Sequence, residues 1–277
     1  MSRTTQASRG QFKPMLRAAA GCWHAARGFN EHRALAGYIA RRALGRAGLD
    51  FDRRRACTIR LGGLELHLRP GSGELCLYQE IFRDFAYERH PAFALRPGWS
   101  VLDCGANIGM FSLRAARAGC AQILALEPDP ETFGRLALNL ERNGASAVIP
   151  LRLAAGRATC RAAFERSAVS TLGQLVSGAP REGSASSRVV VEVTTLANLF
   201  DRYSVRNVHL LKLDVEGAEC DVLEGARPVL DRVERVVMEY HGAQRLSDCE
   251  RLLRQYGFAR VAIAAPAYAY FAREWVC

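Results

Sequence analysis

A short apolar strand that runs directly into a glycine-rich turn and then a helix leaves few folds open to this chain. The strand is Ser100-Val101-Leu102-Asp103, the turn runs through Cys104-Gly105-Ala106-Asn107-Ile108-Gly109, and the helix spans Met110 to Ala118. The unit recurs. Ile123 to Leu126 is a second strand closed by Glu127-Pro128-Asp129-Pro130, and Glu131 to Arg142 reads as a helix stopped by Asn143-Gly144. Val148 to Leu153, Val189 to Val193, His209 to Leu213 and Val236 to Tyr240 read as further strands. A helix over Asp248 to Tyr256 and two β segments, Arg260 to Ala264 and Tyr268 to Trp275, complete the pattern. Strands alternating with helices predict an α/β fold whose mostly parallel sheet is covered on both faces.

Upstream, residues 14–47 read as one or two helices, with Leu16, Trp23, Leu35, Ile39 and Leu44 apolar among arginines. Thr58 to Leu68 alternates around Gly62-Gly63, the pattern of a hairpin, and Glu74 to Phe85 reads as a helix. Three sections result: a basic helical extension over 1–57, a hairpin-and-helix cap over 58–95, and the main domain over 96–277. Residues 177–188 carry the composition of a flexible surface loop.

The turn after the first strand has the character of a ligand site. Gly105 and Gly109 let the backbone turn sharply and approach a ligand, and a helix N-terminus offers unpaired N–H donors. Glu127 follows Asp103 by 24 residues, at the end of the next strand, where a carboxylate can accept both hydroxyls of a ribose. Together they favour a nucleoside cofactor held by Asp103, Gly105, Asn107, Gly109 and Glu127. The turn is not G-x-G-x-x-G and it opens on an acid. A carboxylate there repels phosphate and suits an ammonium or a sulfonium, which favours S-adenosylmethionine (SAM) over a nicotinamide dinucleotide.

A second group of candidates lies further along. In Leu211-Lys212-Leu213-Asp214-Val215-Glu216-Gly217-Ala218-Glu219, period two puts Lys212 and Asp214 on one side of a strand end, with Glu216 in the loop beyond. Glu239-Tyr240-His241-Gly242 closes another strand. His241, near carboxylates, is a candidate general base, as is Asp214, with Lys212 orienting Asp214 or stabilising developing alkoxide. Glu216 and Glu239 are candidate substrate contacts. Asp214, Glu216, Glu239 and His241 could instead gather around a divalent ion, though carboxylates at strand ends more often cap helices or orient substrate, so no metal is assigned.

Charge narrows the partners. The formal charge is +10, yet residues 1–60 hold 13 basic and 3 acidic residues, which leaves 25 of each in the rest. A neutral main domain argues against nucleic acid as substrate. The extension reads as a solvated helical cap or as a patch for an acidic partner, an anionic carrier or a membrane surface. It is arginine-rich and acid-poor like an organellar transit peptide, but has an apolar periodicity of its own. No stretch has the length of a membrane span or the pattern of a secretory signal. The nine cysteines are scattered, odd in number and never spaced C-x-x-C, which argues against zinc or a disulfide framework and suits the cytoplasm. The oligomeric state is not legible.

These residues resemble the FkbM family of SAM-dependent methyltransferases. The resemblance rests on "VLDCGANIGMFSLRAA", "ILALEPDPETFGRLALNLERNG", "VTTLANLF", "LLKLDVEGAECDVLEGA" and "VVMEYHG", in order over residues 95–245, with a weaker echo in Leu61 to Glu88. The pairing of D-x-GAN-x-G with K-x-DVEGAE is its most specific part. It implies a class I methyltransferase (Rossmann-like) sheet of seven strands, the last antiparallel, with SAM over the ends of the first strands. By the same resemblance Asp103, Gly105 and Asn107 hold the methionine part of SAM, Glu127 the ribose, and Asp214 and Glu216 line the reaction crevice. It further implies O-methylation of a hydroxyl on a polyketide, sugar or cell-surface glycan. One departure stands out: where the family usually reads "TTLDD", this chain has Thr194-Thr195-Leu196-Ala197-Asn198. That departure admits a non-catalytic SAM-binding module that keeps the fold, while a nicotinamide-dependent oxidoreductase on a similar sheet is disfavoured by the missing third glycine and by Asp103.

Overall fold

The computed structural model describes residues 12–46, 56–70, 72–166, 173–176 and 188–274. Its centre is a seven-stranded sheet of β3 (Ser100–Cys104), β4 (Gln122–Leu126), β5 (Val148–Leu151), β10 (Leu210–Leu213), β11 (Arg235–Glu239), β12 (Phe258–Ala264) and β13 (Tyr268–Arg273). The strand order is β12-β13-β11-β10-β3-β4-β5. Strands β11 to β5 in that order are parallel, and β13 runs antiparallel to both its neighbours. The expected class I sheet, with its last strand reversed, is what the chain forms.

Period-two alternation divides the sheet's side chains between two cores. Val101, Ile123, Leu210, Val237 and Tyr270 lie in one core, with Leu102, Leu124, Leu211, Val236 and Phe271 in the other. The first face is covered by α4 (Met110–Arg117), α5 (Pro130–Arg142) and the N-terminal elements: α1 (Phe12–Ala25), α2 (Gly28–Arg46), the hairpin β1–β2 (Cys57–Leu61 and Leu64–Leu68) and α3 (Glu74–Phe82). Cys22, Leu35, Tyr38, Leu61, Leu66 and Tyr78 belong to the same continuous core as Val101 and Ile123. The second face is covered by α6 (Leu196–Arg202), α7 (Glu219–Ala226) and α8 (Ala243–Gln255).

The hairpin is sewn onto α5 by two asparagines. Asn139 Oδ1 accepts from the His67 N–H at 2.7 Å, and Asn143 exchanges two bonds with the backbone of Glu65, at 2.9 and 2.8 Å. These satisfy an open strand edge that would otherwise be available for non-native pairing.

Several elements differ from the sequence reading. Helix α8 starts at Ala243, earlier than the expected Asp248, because Leu246 is already core. The strand expected at Val189 to Val193 is not in the main sheet. It is part of β9 (Arg188–Thr194), which joins β6 (Ala154–Ala155), β7 (Cys160–Arg166) and β8 (Gly173–Val176) in a separate sheet of order β6-β9-β7-β8. Of the loop expected over 177–188, Arg188 begins β9 and the remainder lies outside the described residues, as does the end of the last expected strand. The structure also brings two of the scattered cysteines together as thiols: the Cys220 and Cys249 sulfurs are 2.9 Å apart.

Candidate functional site

The register of the sheet gathers chemistry-bearing residues into one row. Lys212 on β10 lies directly opposite Asp103 on β3. Asp214 follows one residue beyond Leu213, which pairs with Met238, so Asp214 and Glu239 occupy neighbouring strand ends. Glu239 in turn is the register partner of Tyr268, the first residue of β13. Because β13 is reversed, its start lies at the carboxyl end of the parallel strands. Alternation places the row on the first face, the one covered by α3 and α4, at the end of an α/β sheet where ligands bind.

Lys212 is the hub of the row. Its side chain is 3% exposed, and its ammonium donates to Asp103 Oδ1 at 3.0 Å and to the Gly105 carbonyl at 2.8 Å, with Asp214 Oδ2 3.6 Å away. The rings of Tyr87 and Phe111 complete its surroundings, at 5.1 and 5.9 Å. Burial alone pushes its pKa down, but the carboxylates of Asp103 and Asp214 push it further up, so the ammonium keeps its proton and cannot act as a base. Lys212 is one of two lysines in a chain with 36 arginines. A compact ammonium fits between two carboxylates and a carbonyl where a planar guanidinium would not.

Asp103 has no exposed surface. One oxygen takes the Lys212 bond and the other accepts from Ser112 Oγ at 2.6 Å. Its carboxylate thereby fixes β3, α4 and β10 together. Gly105 explains itself: its φ is +80°, and a Cβ there would stand 1.8 Å from the Asp214 carbonyl oxygen. Asn107 and Gly109 also adopt left-handed backbone, with φ of +52° and +88°.

Ahead of the helix's first residue, the N–H groups of the turn are already paired. Gly105 and Ala106 both donate to the Leu126 carbonyl, Asn107 to Glu127 Oε2, Ile108 to Asn107 Oδ1, and Gly109 to the Ala106 carbonyl. Three of these N–H groups, from Gly105, Ala106 and Asn107, bind β3's turn to the end of β4, and the other two close the turn on itself. Glu127, nearly buried, accepts from the Asn107 N–H at 3.0 Å and the Asp129 N–H at 2.9 Å, one on each oxygen. A carboxylate has about four lone-pair sites, so both oxygens keep capacity for a ligand's hydroxyls. Burial pushes its pKa up to about 7, against the two backbone donors that lower it.

His241 sits between two carboxylates, with Nε2 3.1 Å from Glu216 Oε2 and Nδ1 3.1 Å from Glu219 Oε1. Glu219 Oε1 also accepts from the Gly217 N–H at 2.9 Å, which holds the loop carrying Glu216 against α7. Glu216 has φ of +51°, and burial, with Asp214 adding to it, pushes its carboxyl up to about 7. Burial, then the charges of Asp214, Glu80 and Glu216, push Glu239 up to about 8. Both His241 nitrogens are thus engaged, while Glu239, expected as a substrate contact, shares with Glu216 a carboxyl raised toward neutral pH by burial and by Asp214.

Three site residues have no signal in the sequence. Tyr87 donates its hydroxyl to Asp214 Oδ2 at 3.0 Å, and Tyr268 is hydrogen-bonded to Glu80 Oε1. Glu80 lies on α3 and Tyr87 just after it, more than a hundred residues from the strand ends they meet, and only the packing of the N-terminal cap on the first face brings them in. Burial raises the pKa of Glu80 as well. Asn198, at the departure from the family pattern, lies in the first turn of α6, capped by Thr195 Oγ1 at 3.1 Å, and donates to Thr159 Oγ1 at 2.6 Å. The departure leaves the strand-end row intact. Among the described residues no group of three or more His, Cys, Asp or Glu side chains is placed to hold a metal ion.

Comparison with known proteins agrees with this geometry. The sequence model of the methyltransferase FkbM domain matches residues 103–259, from Asp103 to beyond the row's last parallel strand. The chain is 30% identical over 245 residues to the 31-O-demethyl-FK506 methyltransferase FkbM of Streptomyces tacrolimicus, covering 76% of this chain and 92% of that protein. It is 32% identical over 213 residues to methyltransferase 1 of Beauveria bassiana, covering 70% of this chain and 84% of that protein. It is also similar to the hexuronic acid methyltransferase AglP of Haloferax volcanii, at 29% over 153 residues, 55% of this chain and 60% of that one. With more than half its length matched by the domain and its strand ends built from the matching motifs, the chain belongs to the FkbM family of methyltransferases.

Proposed function

We propose that this methyltransferase takes the methyl group of SAM and places it on a hydroxyl of a sugar, glycan or polyketide-type acceptor. The observation that carries the cofactor reading is the turn itself. The N–H groups of Gly105 to Gly109 are internally paired, so this stretch offers no cradle for a pyrophosphate, and the carboxylates of Asp103, Glu127 and Asp214 around it outnumber the one ammonium, Lys212. Such a site disfavours a dinucleotide and suits a nucleoside bearing positive charge. SAM supplies a methyl group already activated on a sulfonium, and the protein's part is alignment and disposal of the acceptor's proton.

Glu127 would hold the ribose through the free lone pairs of its two oxygens, and Gly105, Asn107 and Gly109 give the turn the shape that admits the cofactor. Asp103 acts through Lys212, which fixes the Gly105 carbonyl and the Asp214 carboxylate in one frame. Asp214, held also by Tyr87, orients the acceptor hydroxyl. Glu239 takes its proton, because a carboxyl with a pKa near the working pH combines a free lone pair with adequate basicity. His241, locked between Glu216 and Glu219, acts as a positioning residue for the Glu216 loop. The acceptor reading draws support from the relatives, one named for 31-O-demethyl-FK506 and another for a hexuronic acid.

The test is methyl transfer from labelled SAM to a panel of sugar and polyketide alcohols, with wild type and Glu239→Gln. Labelled product from an alcohol, slowed at least tenfold by Glu239→Gln without loss of SAM binding, supports the assignment. Transfer to amines but not alcohols would overturn the acceptor class, and an unaffected rate would remove Glu239 as base.

A further inference from the structure

The basic extension is not absorbed by the site, and its outward face has an unusual make-up. Among residues 12–46 the single acid is Glu31, which is buried and accepts from the N–H groups of Arg27, Gly62 and Gly63 at 2.7, 3.1 and 3.4 Å. That clamp fixes the α1–α2 turn against the β1–β2 hairpin. The exposed side of α2 then reads Phe29, Arg33, Ala36, Gly37, Ala40 and Arg41. Phe29 is 79% exposed at the tip of the helical hairpin, next to Arg27, and Trp23 on α1 is 45% exposed with its ring edge-on to His32 at 4.7 Å. A face turned to water ordinarily mixes charges of both signs. This one combines arginines, small residues and two protruding aromatic rings, with no exposed acid among its described residues.

We propose that this face docks the protein on an anionic membrane surface, with Phe29 and Trp23 entering the headgroup layer and Arg27, Arg33 and Arg41 pairing with lipid phosphates. The arrangement meets the requirements of interfacial binding: an apolar group that projects from a rigid tip, and cations around it that attract anionic lipid. Arginine suits the second task because its planar fork matches phosphate. A second copy of the chain would bring the same uncompensated arginines and be repelled. A protein partner's pocket would be needed to seat a ring as exposed as Phe29, whereas a lipid surface needs none. Among the described residues no helix is long and apolar enough to cross a membrane, so the contact is peripheral. The docking face is the outer side of the cap whose inner elements bring Glu80 and Tyr87 to the row.

The test is co-sedimentation of the full chain with vesicles of phosphatidylcholine alone and of phosphatidylcholine with 30% phosphatidylglycerol. Binding to the anionic vesicles at least tenfold stronger than to the neutral ones, falling as salt rises from 50 to 500 mM, is expected. Phe29→Ser with Trp23→Ser should weaken it roughly tenfold, and Arg33→Glu with Arg41→Glu should abolish it. All four positions are exposed, and thermal melts of the variants within about 2 °C of wild type confirm that they fold. Equal binding to both vesicle types, no binding to either, or loss of vesicle binding on adding an equal mass of duplex DNA would each overturn the proposal. The readout is independent of methyl transfer.

Discussion

Replacing Lys212 by methionine keeps the volume of the side chain and removes only its ammonium. Asp103, with no exposed surface, then retains a single donor, Ser112 Oγ, and the Gly105 carbonyl loses its partner. Breaking one half of a buried ion pair costs about 3–5 kcal/mol, because the remaining charge is stranded. At about 2–4 °C per kcal/mol for domains of 150–250 residues, the melting temperature should drop by roughly 6–20 °C. Adding Asp103→Asn should return at least about half of that loss, since the amide needs no counter-charge. Asp103→Asn alone is less costly than Lys212→Met, because Asp214 still faces the ammonium at 3.6 Å. Urea titrations of the four proteins, followed by circular dichroism, give the coupling energy directly. Additivity within about 0.5 kcal/mol, or a loss below about 1 kcal/mol for Lys212→Met, would refute the reasoning that Lys212 and Asp103 act as one unit.

Gly105→Ala forces a Cβ against the Asp214 carbonyl at a left-handed φ, and should cost upwards of about 3 kcal/mol from strain and overlap together, read as a lowered urea midpoint. The unliganded protein should lose stability as pH rises from about 4.5 to 8. Glu127, Glu216 and Glu239 have folded pKa values of about 7, 7 and 8, above those of the unfolded chain, so their contribution is full below 4.5 and lost as the folded groups ionise. Glu239→Gln should flatten the upper part of that slope in melts between pH 6 and 9. Tyr87→Phe removes the hydroxyl that donates to Asp214 at 3.0 Å, a charge-assisted bond worth about 1.5–3 kcal/mol. It should lower kcat by roughly tenfold or more while leaving SAM affinity within about twofold.

The strand-end row was open to sequence reading where local pattern and function coincide. Asp103, Asp214 and Glu239 each close a largely apolar run, and period two already places Lys212 and Asp214 on one side. What pattern cannot supply is register between distant strands. That Lys212 stands opposite Asp103, and so takes up one of its oxygens, depends on pairing across more than a hundred residues. The same limit hid Tyr87 and Glu80, which reach the row only because the N-terminal cap shares its core with the sheet. The small sheet was hidden for a different reason. In β7 Phe164 alone is buried, so Cys160–Arg166 shows no apolar alternation and its pairing is set by tertiary contact. The pairing of the turn's N–H groups was equally hidden, because Gly105, Ala106 and Asn107 find their acceptors at the end of β4, a contact that depends on strand register.

The central claim is that Glu127 and the closed turn after β3 form a SAM site. Calorimetric titration with SAM at pH 8 and pH 6, of wild type and Glu127→Ala, tests it most directly. The ionised carboxylate is the form that accepts ribose hydroxyls, and with a pKa of about 7 its ionised fraction falls about tenfold over that interval. Wild type should therefore bind SAM up to about tenfold more weakly at pH 6. Glu127→Ala should bind roughly 10- to 100-fold more weakly at pH 8, with the pH dependence gone. Equal affinity in the two proteins, or tighter binding of a nicotinamide dinucleotide than of SAM, would contradict the account.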